Sequence, residues 1–244
     1  MIVQKFGGVA MKDEQMRLKC IAHIKEGLQK YQKVIVVVSA IGRKNDPYST
    51  DSLLQLTEAF SSVGEASDLA ASCGELIAAA VLSAELERAG VPNTILHGAQ
   101  AGILTKGPFG DGTIVHIDPT TMMSRLEKMD CILVPGFQGI DATGRVMTLG
   151  RGGSDLTAIA LAAAVNASHV EFFKDVPGVM TNDPHKFANA RKLDVLSMDD
   201  FLPLLNCERP VIQQRAARHA IKTAIPLYIR GIASSEKGTW IFPS

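Results

Sequence analysis

The apolar positions of this chain fall into two alternating kinds of run. Short blocks of β-branched and aromatic residues recur from Ile2 to Phe6 and at VIVVVSA (34–40), TILHGAQ (94–100), CILVPGFQG (131–139), VEFFKDV (170–176) and IPLYIRG (225–231). Between them lie alanine- and leucine-rich segments with helical spacing, of which LIAAAVLSAELERAG (76–90) is the most apolar. Strand blocks that alternate with helices predict parallel strands joined by crossovers, with the sheet buried on both faces. The expected architecture is α/β: a three-layer αβα sandwich with a mainly parallel central sheet, built as a single domain over residues 1–244.

One stretch breaks this rhythm. GILTKGPFGDGTIVHI (102–117) carries turn residues and short alternating runs, which predict hairpins at one edge of the sheet. The polar, turn-rich IGRKNDPYSTDS (41–52) is expected as a mobile loop above the site. In sheets of this kind ligands sit beyond the carboxyl ends of the strands. There the glycines gather: Gly7, Gly8, Gly42, Gly136, Gly139, Gly150, Gly152, Gly153 and Gly178.

Composition narrows the partners. With 46% hydrophobic and only 5% aromatic residues, the core of this 244-residue chain is aliphatic. Lys and Arg number 25 and Asp and Glu also 25, so no global field attracts nucleic acid or a membrane surface, and any affinity for phosphate must be local. Cys20, Cys73, Cys131 and Cys207 lack CxxC spacing and the start MIVQKFGG has no apolar signal region, so reduced thiols and a cytoplasmic location are expected. The segment 76–90 carries glutamate and arginine at helical spacing and is expected to be too short and too charged to span a bilayer. His23, His97, His116, His169, His185 and His219 show no ligand spacing, and no metal site is expected from them.

Two stretches carry candidate chemistry. In QKFGGVAMKDE (4–14), paired glycines end an apolar strand one residue after an ammonium-bearing segment. Bare backbone N–H groups beside Lys5 suit a phosphate, and the same pair suits a plain strand-ending turn with Lys5 solvated at an edge. On these residues alone both readings stay open. In TLGRGGSDLTAIALAAAV (148–165), a glycine-rich turn runs into Ser154, Asp155 and a strong helix. Ser154 or Asp155 would serve as helix cap. Arg151, fixed between glycines at the mouth of an anion-binding turn, suits a bidentate grip on a carboxylate or phosphate.

KFGG (5–8), VVVSAIG (36–42), SCGE (72–75), PGFQG (135–139), TLGRGGSD (148–155) and DVPGVMTNDP (175–184) occur in the order and rough spacing of the aspartate kinases. The chain resembles these members of the amino acid kinase family, whose relatives include glutamate 5-kinase, acetylglutamate kinase and uridylate kinase. The resemblance implies transfer of the ATP γ-phosphoryl group to the side-chain carboxylate of aspartate. It gives Lys5 and Asp155 catalytic roles: Lys5 neutralises the moving phosphoryl group, cradled by the backbone of Gly7 and Gly8, and Asp155 holds Lys5. It places Asp175, Gly178 and Asp183 near the adenine and ribose, with Lys174 close by. For the acceptor it assigns Arg151 to a carboxylate and Glu75 to the α-ammonium, with Ser39, Thr50, Phe137 and Ser154 around them. A solvated position opening the following helix is the alternative for Glu75. Mg2+ is expected to ride on ATP and water, with no dedicated protein cage.

The pattern also departs from the family. Val9 and Ala10 replace two hydroxyl residues after the glycine pair, Lys174 stands where threonine is usual, and Pro210 takes the place of an ATP-contacting lysine. Lys174 or Arg209 would supply the displaced charge. Two other functions compete: a kinase for another small carboxylate or amino acid, and a degenerate module that binds amino acid or nucleotide without turnover. The chain closes at EKGTWIFPS, where the kinase domain of the family ends. The expectation is therefore a catalytic domain without the appended ACT domains, with no feedback by lysine or threonine from within the chain. A regulator would act as a separate subunit, and a homodimer is expected from the family.

Overall fold

The computed structural model describes residues 1–60, 64–182, 187, 189–208 and 210–243. In chain order the elements are β1 (Ile2–Phe6), α1 (Gly8–Met11), α2 (Glu14–Tyr31), β2 (Val34–Val38), α3 (Thr50–Glu58), α4 (Glu65–Arg88), β3 (Thr94–Ile95), β4 (Ile103–Lys106), β5 (Thr113–Ile117) and α5 (Thr120–Leu126). There follow β6 (Cys131–Pro135), β7 (Gln138–Ile140), β8 (Val146–Thr148), α6 (Gly153–Ala164), β9 (Val170–Lys174), β10 (Val195–Ser197), α7 (Met198–Leu204), α8 (Gln214–Thr223), β11 (Leu227–Gly231) and β12 (Thr239–Phe242). The main sheet has the order β10-β12-β11-β9-β1-β2-β6-β3 and is parallel except for the β11–β12 pair.

Alternation along the strands sorts the core into two layers. Val3, Ile35, Val37, Ile132, Val134 and Phe172 face α6 and α8, while Ile2, Phe6, Val36, Val38, Leu133 and Phe173 face α2 and α4. β1, β2 and β6 are buried at every residue, which is why β2 and β6 are apolar throughout, while β1 carries the buried polar residues Gln4 and Lys5. Each such aliphatic side chain contributes roughly 1.5–3 kcal/mol by leaving water. The three-layer sandwich expected from the sequence is therefore present, around a sheet with one antiparallel pair.

Five details differ from the sequence reading. CILVPGFQG is two strands: β6 ends at Pro135, Phe137 takes φ 71°, and β7 joins a second sheet of order β5-β4-β7-β8. The turn between them can only be glycine at position 136, where a Cβ would stand 2.8 Å from Ser154 Cβ. TILHGAQ contributes two strand residues, Thr94 and Ile95. The polar loop after β2 is shorter than 41–52, because Ser49 caps α3 by accepting from the Ser52 N–H at 3.3 Å. The apolar stretch 76–90 is the second half of α4, which starts at Glu65 and runs 24 residues, long and apolar enough by length and composition to cross a bilayer. In this fold its inward face is buried on the sheet, and buried Asp68 accepts from the Thr148 N–H at 2.6 Å. The hairpin expected within 102–117 is present as the antiparallel β4–β5 pair, but it lies in the second sheet and not at an edge of the main one.

Candidate active site

Lys5 is the fourth residue of β1 and lies beside Phe172 of β9, so the pleat sends Lys5, Phe172 and Lys174 to the same face of the sheet. That face carries α6, whose first turn holds Asp155. The carboxylate receives both lysines: Lys5 Nζ lies 2.6 Å from Oδ1 and Lys174 Nζ 3.3 Å from Oδ2. All three side chains are nearly buried, at 7%, 16% and 8% exposure for Lys5, Lys174 and Asp155. Burial would raise the Asp155 carboxyl, but the charges of Lys174 and Lys5 outweigh it and hold the group below its ordinary value. Burial, reinforced by the neighbouring charge of Lys5, pushes Lys174 down to about 8 against the opposing pull of Asp155. Two buried cations share one anion, which leaves a net positive site waiting for negative charge.

Neither Ser154 nor Asp155 caps α6. Its N-cap is Gly152 in the left-handed conformation, φ 75°, with no side-chain cap, and a Cβ there would stand 2.3 Å from Gln213 Cγ. Asp155 lies inside the first turn, which frees its carboxylate for the lysines.

The glycine pair divides the two readings left open by the sequence. A Cβ on Gly8 would meet Gly42 O at 2.2 Å and Ala40 O at 2.8 Å, and the Gly42 N–H donates to Gly8 O at 3.0 Å. Gly8 is thus needed for two turns to touch. A Cβ on Gly7 would have only Lys5 Nζ within reach, at 3.7 Å, so the bare backbone of Gly7 faces an ammonium group. Packing therefore accounts for the glycine at position 8 and leaves the backbone at position 7 open. A cleft of about 160 Å³ opens beside this turn, lined by Gly7, Gly8, Gly42, Arg43, Lys174 and Asp175 at the carboxyl ends of β1, β2 and β9. Val9 and Ala10 also line it, so the two departures from hydroxyl residues lie in the cleft itself.

On the other side, Glu75 comes from the middle of α4 and is 2% exposed, which rules out the solvated helix-opening position. Oε1 accepts from the Ala40 N–H at 3.0 Å, while Oε2 has no hydrogen-bond partner among the described residues. Burial pushes the carboxyl up to about 8 despite the Ala40 hydrogen bond and the charge of Lys5. Gly74 makes this possible: a Cβ there would stand 2.8 Å from Ala40 Cβ. Ser39 follows β2, its N–H donating to Phe6 O at 3.1 Å, and Thr50 opens α3. Phe137 packs against Gly153, and its N–H donates to Thr157 Oγ1 at 3.1 Å; buried Ser154 lies against Gly136. Arg151 is exposed and has no carboxylate partner among the described residues.

Gly178 is buried away from these groups, where a Cβ would stand 2.5 Å from Thr239 Oγ1. Asp183, Arg209 and His185 lie outside the described residues. Sequence reading missed Arg43, whose Nη2 lies 2.8 Å from Asp175 Oδ2 at the cleft mouth. A lone arginine in a polar loop directly after the VVVSAIG turn was the available signal. No group of three His, Cys, Asp or Glu side chains among the described residues converges as a metal cage.

The buried Lys5–Asp155–Lys174 cluster and the cleft beside the glycine turn thus sit at the carboxyl end of an αβα sheet, and residues 1–231 match the amino acid kinase family. The chain belongs to that family. It is 43% identical over 242 residues to aspartokinase 1 of Bacillus subtilis, covering 98% of this chain and 60% of that protein. Aspartate kinase from Synechocystis superposes with a TM-score of 0.85 at 34% identity, over 100% of this chain and 40% of that one. Escherichia coli aspartokinase III, crystallised with aspartate and ADP, shares the fold at a TM-score of 0.84 and 21% identity, over 100% of this chain and 65% of that one. The chain spans about 60% of the length of the curated relatives it matches.

Proposed function

We propose that this chain is an ATP-dependent kinase that phosphorylates the side-chain carboxylate of L-aspartate, with residues 1–244 acting as one catalytic domain in the cytoplasm. The Lys5–Asp155–Lys174 cluster beside the bare backbone of Gly7 is the observation that carries this reading. A carboxylate oxygen attacks the γ-phosphorus, the bond to the β-phosphate oxygen breaks, and ADP leaves with that electron pair. The acceptor is already ionised near neutral pH, so no general base is required. What the transfer needs is alignment and fixed positive charge. Lys5 and Lys174 supply that charge, and Asp155 fixes where they stand.

A zwitterionic acceptor asks for two opposite charges at a set separation. Arg151, a cation without a carboxylate partner among the described residues, takes the α-carboxylate. Glu75, whose buried Oε2 has no hydrogen-bond partner among the described residues, takes the α-ammonium. Ser39, Thr50, Phe137 and Ser154 shape the space between them. Asp175 and Asp183 belong with the nucleoside, and Arg209 with the phosphates. Mg2+ enters on the nucleotide, held by the phosphates and water, as this hard cation usually is.

The test is magnesium-dependent ATP turnover with L-aspartate in hydroxylamine, which traps an acyl phosphate as hydroxamate. Aspartate-dependent hydroxamate that is lost in Arg151→Ala is expected. Turnover with a different amino acid and none with aspartate would reassign the acceptor, since one methylene is worth only about 1–3 kcal/mol in a pocket. No turnover with any acceptor would overturn the kinase reading.

A further inference from the structure

Arg43 and Asp175 stand on loops that leave β2 and β9, the two strands flanking β1. Their ion pair, Nη2 to Oδ2 at 2.8 Å, therefore spans the width of β1 above its glycine turn. The backbone of Arg43 is fixed. Its N–H donates to Asp46 Oδ2 at 2.8 Å, its carbonyl accepts from the Asp46 N–H at 2.9 Å, and Gly42 before it takes φ 81°. The guanidinium, by contrast, is 68% exposed and its partner carboxylate 57% exposed.

Exposure decides how easily the pair is broken. A solvated ion pair contributes little and is screened by salt, whereas Lys5 and Lys174 are held to a buried carboxylate. Of the described cations at this cleft, Arg43 is the one that a competing anion can recruit at low cost. A guanidinium presents five donors in a planar fork that matches phosphate oxygens, and a polyphosphate chain carries several charges against the single one of Asp175.

We propose that Arg43 is a phosphate-binding residue of this cleft, selective for the outer phosphates of a polyphosphate chain, and that Asp175 is its competitor for the guanidinium. This rests on the reading of the cleft as a nucleoside triphosphate site. Entry of the polyphosphate transfers the Arg43 guanidinium from Asp175 to the ligand above the glycine turn, with the Arg43 backbone staying in place. Binding thereby selects for chains long enough to reach the mouth.

Inorganic tripolyphosphate, which has no base or ribose, is the probe. Its affinity is measured by calorimetry at fixed ionic strength for the unmodified chain and for Arg43→Ala, Arg43→Lys, Asp175→Asn and Lys5→Met. Both latch residues are exposed, so thermal unfolding of their variants should match the parent. We expect Arg43→Ala to bind roughly tenfold more weakly, Arg43→Lys to fall between, and Asp175→Asn to bind more tightly than the parent. Opposite signs for Arg43→Ala and Asp175→Asn are the signature of competition. Equal weakening in both would make the pair a structural tie and overturn the inference. So would binding that is lost in Lys5→Met but unchanged in Arg43→Ala, with the kinase reading left standing. No binding by the unmodified chain would overturn the phosphate cleft itself and the role of Arg43 with it.

Discussion

Lys174 and Lys5 approach the same carboxylate from different oxygens, Lys174 Nζ 3.3 Å from Asp155 Oδ2 and Lys5 Nζ 2.6 Å from Oδ1. The second lysine changes how the site titrates. Lys174, at about 8, loses its proton as pH rises through that value, so kcat/KM for ATP should carry a falling limb there. In Lys174→Thr the limb should vanish and turnover should drop about a hundredfold, as for removal of one donor to a developing charge. A variant as active as the parent would show that the lysine is dispensable. Asp155→Ala leaves two buried ammonium groups without their anion. It should cost about 3–5 kcal/mol, seen as a lower Tm together with lost activity.

Glu75 leaves its pH signature in stability. Its folded value of about 8 lies above the ordinary 4.5, so between those pH values the folded protein keeps a proton that the unfolded chain has released. Stability therefore falls from this group as pH rises from about 4.5 to about 8. Glu75→Gln keeps an acceptor for the Ala40 N–H and removes the titration. Its Tm should exceed the parent's near pH 8 and match it near pH 5. In the parent, an α-ammonium placed against Glu75 would ionise it, so amino acid binding at pH 7 should release a proton. Calorimetry in two buffers of different ionisation enthalpy reads this directly, and identical heats in both would discard the pairing.

The two glycines should part company under mutation. Gly8→Ala places a Cβ 2.2 Å from the Gly42 carbonyl oxygen, so the turns must separate, at roughly 1–3 kcal/mol. Gly7→Ala has room and should fold with the parent's Tm while weakening nucleotide binding. Equal Tm losses in the two variants would return Gly7 to a purely structural role.

Much of the fold was legible because a strand buried on both faces is mostly aliphatic, as VIVVV (34–38) is throughout. Lys5, Asp155 and the glycine turn were legible as motifs. Their geometry was not, because it depends on register: only the pairing of Lys5 with Phe172 puts Lys174 over Asp155. Glu75 was misplaced as an alternative helix opener because α4 begins at Glu65, after a glycine N-cap that leaves no side-chain signal. The split of CILVPGFQG rests on a positive φ at Phe137, a residue type that does not advertise one. Arg43 became visible only when Asp175 appeared opposite it.

The loop from Ala40 to Gly42 is held at both ends, by the Gly42 N–H on Gly8 and by the Ala40 N–H on Glu75, each at 3.0 Å. Mechanically it is a lever three residues long between the glycine turn and the Glu75 carboxylate. With no Cβ at Gly8 and closely packed neighbours at Gly74, it has no slack to absorb a displacement. A displacement of the glycine turn is therefore passed to Glu75, and on the proposed function this single stretch of backbone would make the nucleotide and acceptor halves of the site answer to each other.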